Sequence, residues 1–299
     1  MGGFLSASTP MLICRANDPK PLDIARLREA AFTDAPDPEG RRYGFVGLGQ
    51  LLDTENFYLA LSDARFAAFS FRMDTRKPSA AAIRLQLEEK IREEKEAGQK
   101  IGSARRKELR EAITEALTAQ APYVPSLTDC IWDGEKGRLL IGSVSAKAVQ
   151  PLLDLFDGTF QMDLEVIEPQ VDMQTVFAGI QRKNGIDVGG YNIQPMGSAS
   201  LASEDMAEKS AVAVINKPEA VAQALADGLM IRKMGLVASR DENDENQIFF
   251  TLDSGLVVNG LRLPKPDKDD EEDATLLINA EICSTTADIV EALGEVTRR

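Results

Sequence analysis

Histidine is absent from this chain of 299 residues, and its absence excludes several kinds of site. A Ser–His–Asp triad or a Cys–His pair cannot form, and the residue that most often binds metals or accepts protons near neutral pH is missing. Catalysis by carboxylates or by a lysine stays open, yet no arrangement of residues for it stands out. We therefore expect a protein that is not an enzyme and that uses no cofactor or metal.

Cysteine is scarce, and long apolar runs are missing. Cys14, Cys130 and Cys283 are far apart, odd in number and without metal-ligand spacing, which predicts three buried thiols in a reducing compartment. No apolar run approaches the length of about 20 residues that a membrane-spanning helix needs. The first residues, Met1 to Pro10, lack the basic segment of a signal peptide. The expected location is the cytoplasm, with no membrane partner.

Positive charge is in deficit, because 34 basic residues face 48 acidic ones and the net charge is −14. This balance disfavours a nucleic-acid partner unless the charges are unevenly distributed. The charges are unevenly distributed, because the segment from Arg76 to Arg110 has 11 basic residues and 6 acidic ones. Two interpretations stay open, a surface that meets phosphate and a solvated pair of helices carrying Glu–Lys and Glu–Arg pairs at a spacing of four.

Hydrophobic spacing predicts two helices in this basic segment, Ser79 to Glu96 and Ala104 to Ala119, separated by Gly98. Helices joined by a short turn form a helical hairpin. Tyr123 follows at the tip side of the pair, between two prolines, and is either an exposed aromatic wedge or a core residue.

The rest of the sequence alternates strand and helix signals, which predicts an α+β fold with antiparallel or mixed sheets. Thr128 to Trp132 and Arg138 to Val144 predict a β-hairpin. Gly179 to Gly197 is interpreted as a loop because it is rich in glycine, with five in 19 residues. In the C-terminal part, we expect the following elements: a helix at Pro218–Ala226; strands at Leu229–Ala238, Gln247–Leu252, Gly255–Leu263 and Ala274–Ile282; acidic loops at 240–247 and 265–273; and a helix at Thr285–Leu293.

Two carboxylates that are two positions apart offer an alternative to the non-enzymatic interpretation. Asp163 and Glu165 alternate on a predicted strand, as in nucleases that bind divalent metals through spaced carboxylates. A single Asp-x-Glu is common by chance, so a metal-dependent nuclease is the less favoured alternative.

Several short motifs, in their order, resemble the bacterial recombination-associated RdgC family. The resemblance runs from about Met11 to Gly294. Its main motifs are Pro78, Ala82-Ile83, Leu87-Glu88-Glu89-Lys90-Ile91, Arg106-Lys107-Glu108-Leu109-Arg110-Glu111, Trp132-Asp133, Leu140-Ile141, Ser145-Ala146-Lys147 and Ile289-Val290-Glu291-Ala292-Leu293-Gly294.

The resemblance implies a non-enzymatic homodimer closed into a ring, which encircles double-stranded DNA without sequence preference and restrains RecA. It implies a nucleoid-associated protein with three parts: a central α+β domain (1–75 plus about 128–170), a protruding helical tip (76–127) and a base domain (171–299). An alternative is an RdgC-like interaction protein that has lost DNA binding.

The resemblance also suggests particular DNA contacts. Tyr123 stands near the family's aromatic finger, where the family has phenylalanine, and Lys217 stands near a lysine of the base domain. The expected DNA-binding residues are Arg76, Lys77, Lys95, Lys100, Arg105, Arg106, Lys107, Tyr123 and Lys217. Residues 171–208 match the family poorly, so the base domain is expected to be remodelled.

Overall fold

One large β-sheet lies at the centre of the fold, as the computed structural model shows for residues 3–38, 40–60, 65–203, 213–215, 217–240, 246–265 and 272–295. Within these ranges, thirteen strands form one sheet and are accompanied by seven helices. Neighbouring strands pair antiparallel along the main path of the sheet. The predicted α+β class is therefore confirmed, with an antiparallel sheet.

Strands and helices are mixed along the chain, and two long helices follow each other between β4 and β5. The strands are β1 (Ser8–Ala16), β2 (Arg42–Val46), β3 (Tyr58–Ala60), β4 (Phe66–Arg76), β5 (Tyr123–Asp133), β6 (Arg138–Ile141), β7 (Leu164–Val166), β8 (Ile186–Val188), β9 (Tyr191–Ala202), β10 (Ala213–Ile215), β11 (Met230–Ser239), β12 (Ile248–Asp253) and β13 (Val258–Arg262). The helices are α1 (Ile24–Glu29), α2 (Ala80–Glu96), α3 (Ser103–Gln120), α4 (Ala146–Phe160), α5 (Met173–Lys183), α6 (Pro218–Ala226) and α7 (Glu272–Glu295).

Strand β1 joins the two halves of the sheet, whose order is β10-β9-β11-β12-β13-β1-β6-β5-β4-β2. Its first half pairs with β13, with Ser8 opposite Arg262. Its second half pairs with β6, with Leu12 opposite Ile141. One strand therefore contributes hydrogen bonds to both halves.

An aromatic cluster lies between the β4–β5–β6 half of the sheet and helix α4. Phe156 of α4 lies 5.8 Å from Trp132 and 4.6 Å from Phe160, measured between ring centroids, and Phe45 lies 5.2 Å from Phe69. These rings are almost fully buried. The predicted hairpin is confirmed here, since β5 pairs with β6 across residues 134–137.

Helix α7 corrects the prediction for the end of the chain. We expected a strand at Ala274–Ile282 and a separate helix at Thr285–Leu293, but α7 is continuous from Glu272 to Glu295. Its buried positions recur at spacings of three and four residues, as a helix against a core requires. They include Leu276, Ala280, Cys283, Ala287 and Val290.

A buried cation fixes α7 to the β5–β6 hairpin. The guanidinium of Arg138, 2% exposed, donates to the Ser284 carbonyl at 2.6 Å and lies 2.8 Å from a carboxylate oxygen of Asp288. Asp133, fully buried, accepts from the Ser284 hydroxyl. Hydrogen bonds and ion pairs therefore connect the helix to the hairpin, although the Arg138 Nε is buried without a hydrogen-bond partner in the described ranges.

The glycine-rich stretch is a second correction. Residues 179–197, interpreted as a loop, contain the end of α5, all of β8 and the first half of β9. Gly185, Gly189 and Gly190 have positive φ and lie in the two turns that connect these elements. Glycine adopts such angles without a steric cost, so here it marks turns between regular elements.

Several predictions concern regions that these results do not test. Most of the two acidic loops, 241–245 and 266–271, lies outside the described residues, and the division into three domains stays a prediction. No helix in the described part of the chain has the length and apolar character needed to cross a membrane.

Candidate nucleic-acid interface

The basic segment folds as two helices that pack against each other. Helices α2 and α3 bury Ile91 from one and Leu109 and Ile113 from the other, because these positions recur at helical spacing. Gly98, with φ +81°, follows the end of α2. The predicted pair of helices is present, and α3 begins one residue earlier than expected.

Carboxylates within the pair neutralise part of its positive charge. Arg105 and Lys107, two of the expected DNA contacts, each have a carboxylate partner. The contacts are Arg84–Glu88 at 4.0 Å, Lys90–Glu93 at 2.7 Å, Arg105–Glu94 at 2.7 Å, Arg105–Glu108 at 3.0 Å and Lys107–Glu111 at 3.8 Å. The expected spacing of four is thus present in Arg84–Glu88 and Lys107–Glu111, whereas two pairs are three positions apart and one joins the two helices.

The Arg105–Glu94 contact differs from the others because it joins α2 to α3. Arg105 donates two N–H groups to the Glu94 carboxylate, at 2.7 and 3.2 Å. This hydrogen bonding lowers the pKa of Glu94 and raises the pKa of Arg105. Arg105 therefore holds the two helices together near their connecting turn.

Other cations of the pair are exposed and have no ion-pair partner among the described residues. Arg106 and Arg110 are four positions apart on α3, so they lie on one side of that helix. The group consists of Lys77, Arg92, Lys95, Lys100, Arg106 and Arg110. Cations without a carboxylate partner are available to phosphate.

Tyr123 lies where the helices meet the sheet. It opens β5 and pairs with Arg76, the last residue of β4, so it is at the foot of the pair and not at the tip side that we predicted. Two guanidinium groups cover its half-buried ring. The Cζ atom of Arg42 lies 3.9 Å from the ring centroid, and the Cζ atom of Arg76 lies 4.7 Å from it. It is thus neither a freely exposed wedge nor a fully buried core residue.

An open cleft of about 860 Å³ lies beside Tyr123. It is formed by the loop before β2, the end of β4 and one side of α3. Its charged side chains are Arg41, Arg76, Arg110, Glu111 and Glu115. Sequence reasoning did not assign Arg41 or Arg110 to a site, because the cleft depends on how α3 lies against a loop about 70 positions earlier.

Lys217 lies far from this group in the order of the sheet. It is the exposed N-cap residue of α6, a helix that contacts β9 and β10 at one end of the sheet. Arg76 belongs to β4, near the opposite end. Within one chain, the structure does not bring Lys217 together with the cations of the helix pair.

The two carboxylates considered for a metal-dependent nuclease are bonded to an amide side chain. Asp163 and Glu165 both accept hydrogen bonds from the Asn17 side-chain amide, each at 3.1 Å. No group of three or more Cys, Asp or Glu side chains in the described ranges is arranged to hold a metal ion. The pair is therefore positioned by an amide donor.

The three cysteines are buried, as predicted. Burial raises the pKa of Cys14 to about 12 and raises those of Cys130 and Cys283 as well. These thiols stay protonated at neutral pH, which makes them poor nucleophiles.

Comparison with known proteins identifies one family whose model matches most of the chain. The family model described as "RdgC: Putative exonuclease, RdgC" matches residues 14–295. Among curated proteins, no relative matches the chain.

Proposed function

Because this chain belongs to the RdgC family, we propose that it binds double-stranded DNA without sequence preference and modulates RecA-type homologous recombination. In this proposal, two copies close into a ring around the duplex, and the protein acts at the nucleoid by occupying DNA. The role is that of a binding protein and not of an enzyme.

The observation that carries the proposal is the group of cations on α2 and α3 and in the segments next to them that have no carboxylate partner among the described residues. Lysine and arginine bind DNA by neutralising phosphates and releasing counterions. Contacts to phosphate carry no sequence information. A local positive excess on a chain of net charge −14 therefore supports attachment to the DNA backbone through one surface.

A ring makes such weak contacts sufficient. A closed ring must open or slide off an end before it leaves the duplex, so individual phosphate contacts need not be strong. The acidic excess of the chain then disfavours binding of DNA elsewhere on the surface. Lys217, at the other end of the sheet, would contribute to the lining from the base region.

The test is fluorescence anisotropy of labelled duplexes of several sequences over a salt series. We expect binding that weakens steeply with salt and is equal across sequences, and Arg106→Gln should lower the magnitude of the salt slope by about one. Mass measurement in solution tests the dimer. Ring closure is tested by whether the protein dissociates more slowly from circular duplex DNA than from linear duplex DNA. Absence of binding at low salt by a folded dimer would favour the RdgC-like interaction protein that has lost DNA binding.

A second candidate, a nuclease, is favoured by the description of the matching family as a putative exonuclease. Its test is incubation of end-labelled duplex with the protein and Mg²⁺ or Mn²⁺, with and without chelator. Shortening of the strands that the chelator abolishes, and that Asp163→Asn removes, would establish the nuclease and overturn the non-enzymatic role.

A further inference from the structure

The cleft at the foot of the helix pair has the donors of an anion site. Arg110 has no ion-pair partner among the described residues, and its guanidinium can present five N–H groups. Arg76 donates one N–H to the Ala119 carbonyl and retains the others. The half-buried Thr75 hydroxyl also lines the cleft.

The acidic residues of the cleft do not cancel these donors. Glu111 lies 3.8 Å from Lys107, and this exposed ion pair offsets part of its charge. Arg41 is likewise paired, with its Nη2 2.9 Å from Asp37. Arg76 and Arg110 therefore face a single remaining carboxylate, that of Glu115, so the local balance is positive.

The position of Arg76 is fixed on two sides, which suits a preorganised site. Its guanidinium stacks on the Tyr123 ring, and its hydrogen bond to Ala119 fixes it to the last turn of α3. Arginine so held offers its free edge in one direction, and the planar guanidinium matches the oxygens of phosphate. Arg110 approaches the same space from the helix.

From this geometry we propose that the cleft is a phosphate-binding site that holds one backbone phosphate of duplex DNA at the foot of α2 and α3. The assignment to DNA rests on the proposed function, whereas the phosphate chemistry follows from the cleft itself. The duplex then crosses the junction between helix pair and sheet, and Arg110 and Thr75 join the binding residues that sequence reasoning identified.

The first arm of the test uses inorganic pyrophosphate and isothermal titration calorimetry at low salt. Three proteins are compared: the full chain, Arg110→Gln and Arg182→Gln. Arg182 is exposed on α5, outside the cleft, so its variant loses the same charge elsewhere. We expect Arg110→Gln to weaken pyrophosphate binding about tenfold or more and Arg182→Gln to leave it unchanged.

Arg110→Lys separates geometry from charge, because it keeps the positive charge and loses the planar fork. We expect it to restore less than half of the lost pyrophosphate binding enthalpy. If the unmodified chain binds no pyrophosphate, or if Arg110→Gln and Arg182→Gln behave alike, the site is overturned. Circular dichroism of each variant checks that the fold is retained.

The second arm uses labelled duplex DNA and distinguishes the two proposals. If the unmodified chain binds duplex and Arg110→Gln binds it about tenfold more weakly than Arg182→Gln does, the cleft holds a DNA phosphate. If both variants bind duplex equally, the DNA proposal stands and the cleft assignment is overturned. If no protein binds duplex while pyrophosphate binding depends on Arg110, the phosphate site stands, and its assignment to DNA fails together with the proposed function.

Discussion

Arg105 of α3 lies against Glu94 of α2, with 2.7 Å between Nη2 and Oε1. The Glu94 side chain is only 16% exposed, whereas that of Arg105 is 47% exposed. Arg105, a residue expected to contact DNA, is thus shared between two carboxylates and solvent, because Glu108 also lies 3.0 Å from it. Its availability to phosphate depends on the charges of these two partners.

Removing the Glu94 charge should release Arg105 to DNA. In the described part of the chain, Arg105 then keeps only the exposed Glu108 carboxylate. In Glu94→Gln, we expect the salt dependence of duplex binding to steepen by up to about one unit of slope, since Arg105 can neutralise one more phosphate. Anisotropy over a salt series measures the slope. Glu96→Gln is the matched control, because it removes a carboxylate at the end of the same helix that has no ion pair among the described residues. An equal change in both variants would contradict the released-arginine explanation.

Loss of the buried guanidinium of Arg138 should destabilise the fold strongly. Arg138→Met removes the contacts with Ser284 and Asp288 and leaves the fully buried Asp133 with one of its two guanidinium neighbours, that of Arg65 at 3.5 Å. Breaking a buried ion pair from one side costs about 3–5 kcal/mol, and urea denaturation should show this loss. The exposed Arg182→Gln change should stay within about 0.5 kcal/mol. Similar midpoints for the two variants would show that Arg138 is not important for stability.

Asp129 should make stability depend on pH in the opposite direction to most carboxylates. Burial raises its pKa above the ordinary value of 3.8, despite hydrogen bonds from the Ser70 hydroxyl and the Phe4 amide. A raised pKa in the folded state favours the protonated form, so its contribution to stability is present below the unfolded pKa and is lost as pH rises through the folded pKa.

The isosteric Asp129→Asn variant lacks this titration. Relative to the unmodified protein, it should gain stability between about pH 4 and pH 7. Urea denaturation at both pH values measures the difference. A stability difference that is constant with pH, or that changes in the other direction, would show that Asp129 is ionised in the folded protein at both values.

Two glycine substitutions should change stability in opposite directions. A Cβ at Gly44 would lie 2.4 Å from the Phe32 Cα, so Gly44→Ala requires a shift of backbone. We expect it to cost about 1–3 kcal/mol. Gly158, inside α4, has open space around its Cβ position, and Gly158→Ala should stabilise by about 0.5–1 kcal/mol. Thermal unfolding compares the two; a tolerated Gly44→Ala would mean that this contact adjusts freely.

The sequence predicted elements well where local signals agree. The α2–α3 pair, the β5–β6 hairpin and the β11–β13 meander each combine regular hydrophobic spacing with a turn or a polar loop. The prediction for the first half of α7 was wrong because Thr275, Ile278 and Ile282 are β-branched and favour strands when considered alone. Packing of every third or fourth residue against the sheet overrides that preference.

The candidate site was predictable in composition but not in arrangement. The charge excess between Arg76 and Arg110 is visible in the sequence, whereas the carboxylate partners depend on which helix faces are in contact. Arg42 stacks on Tyr123 because β2 pairs with β4 beside β5. No local pattern relates residues about 80 positions apart, so the cation-covered ring could not be anticipated.

The dual pairing of β1 has a consequence for synthesis on the ribosome. Residues Ser8 to Met11 emerge early, yet their partners in β13 are translated some 250 positions later. Until then, this length of strand has unpaired backbone groups, which invite association with other nascent chains. Contacts of such long range also slow folding. The two halves of the sheet therefore reach their final connection only after nearly the whole chain has been made.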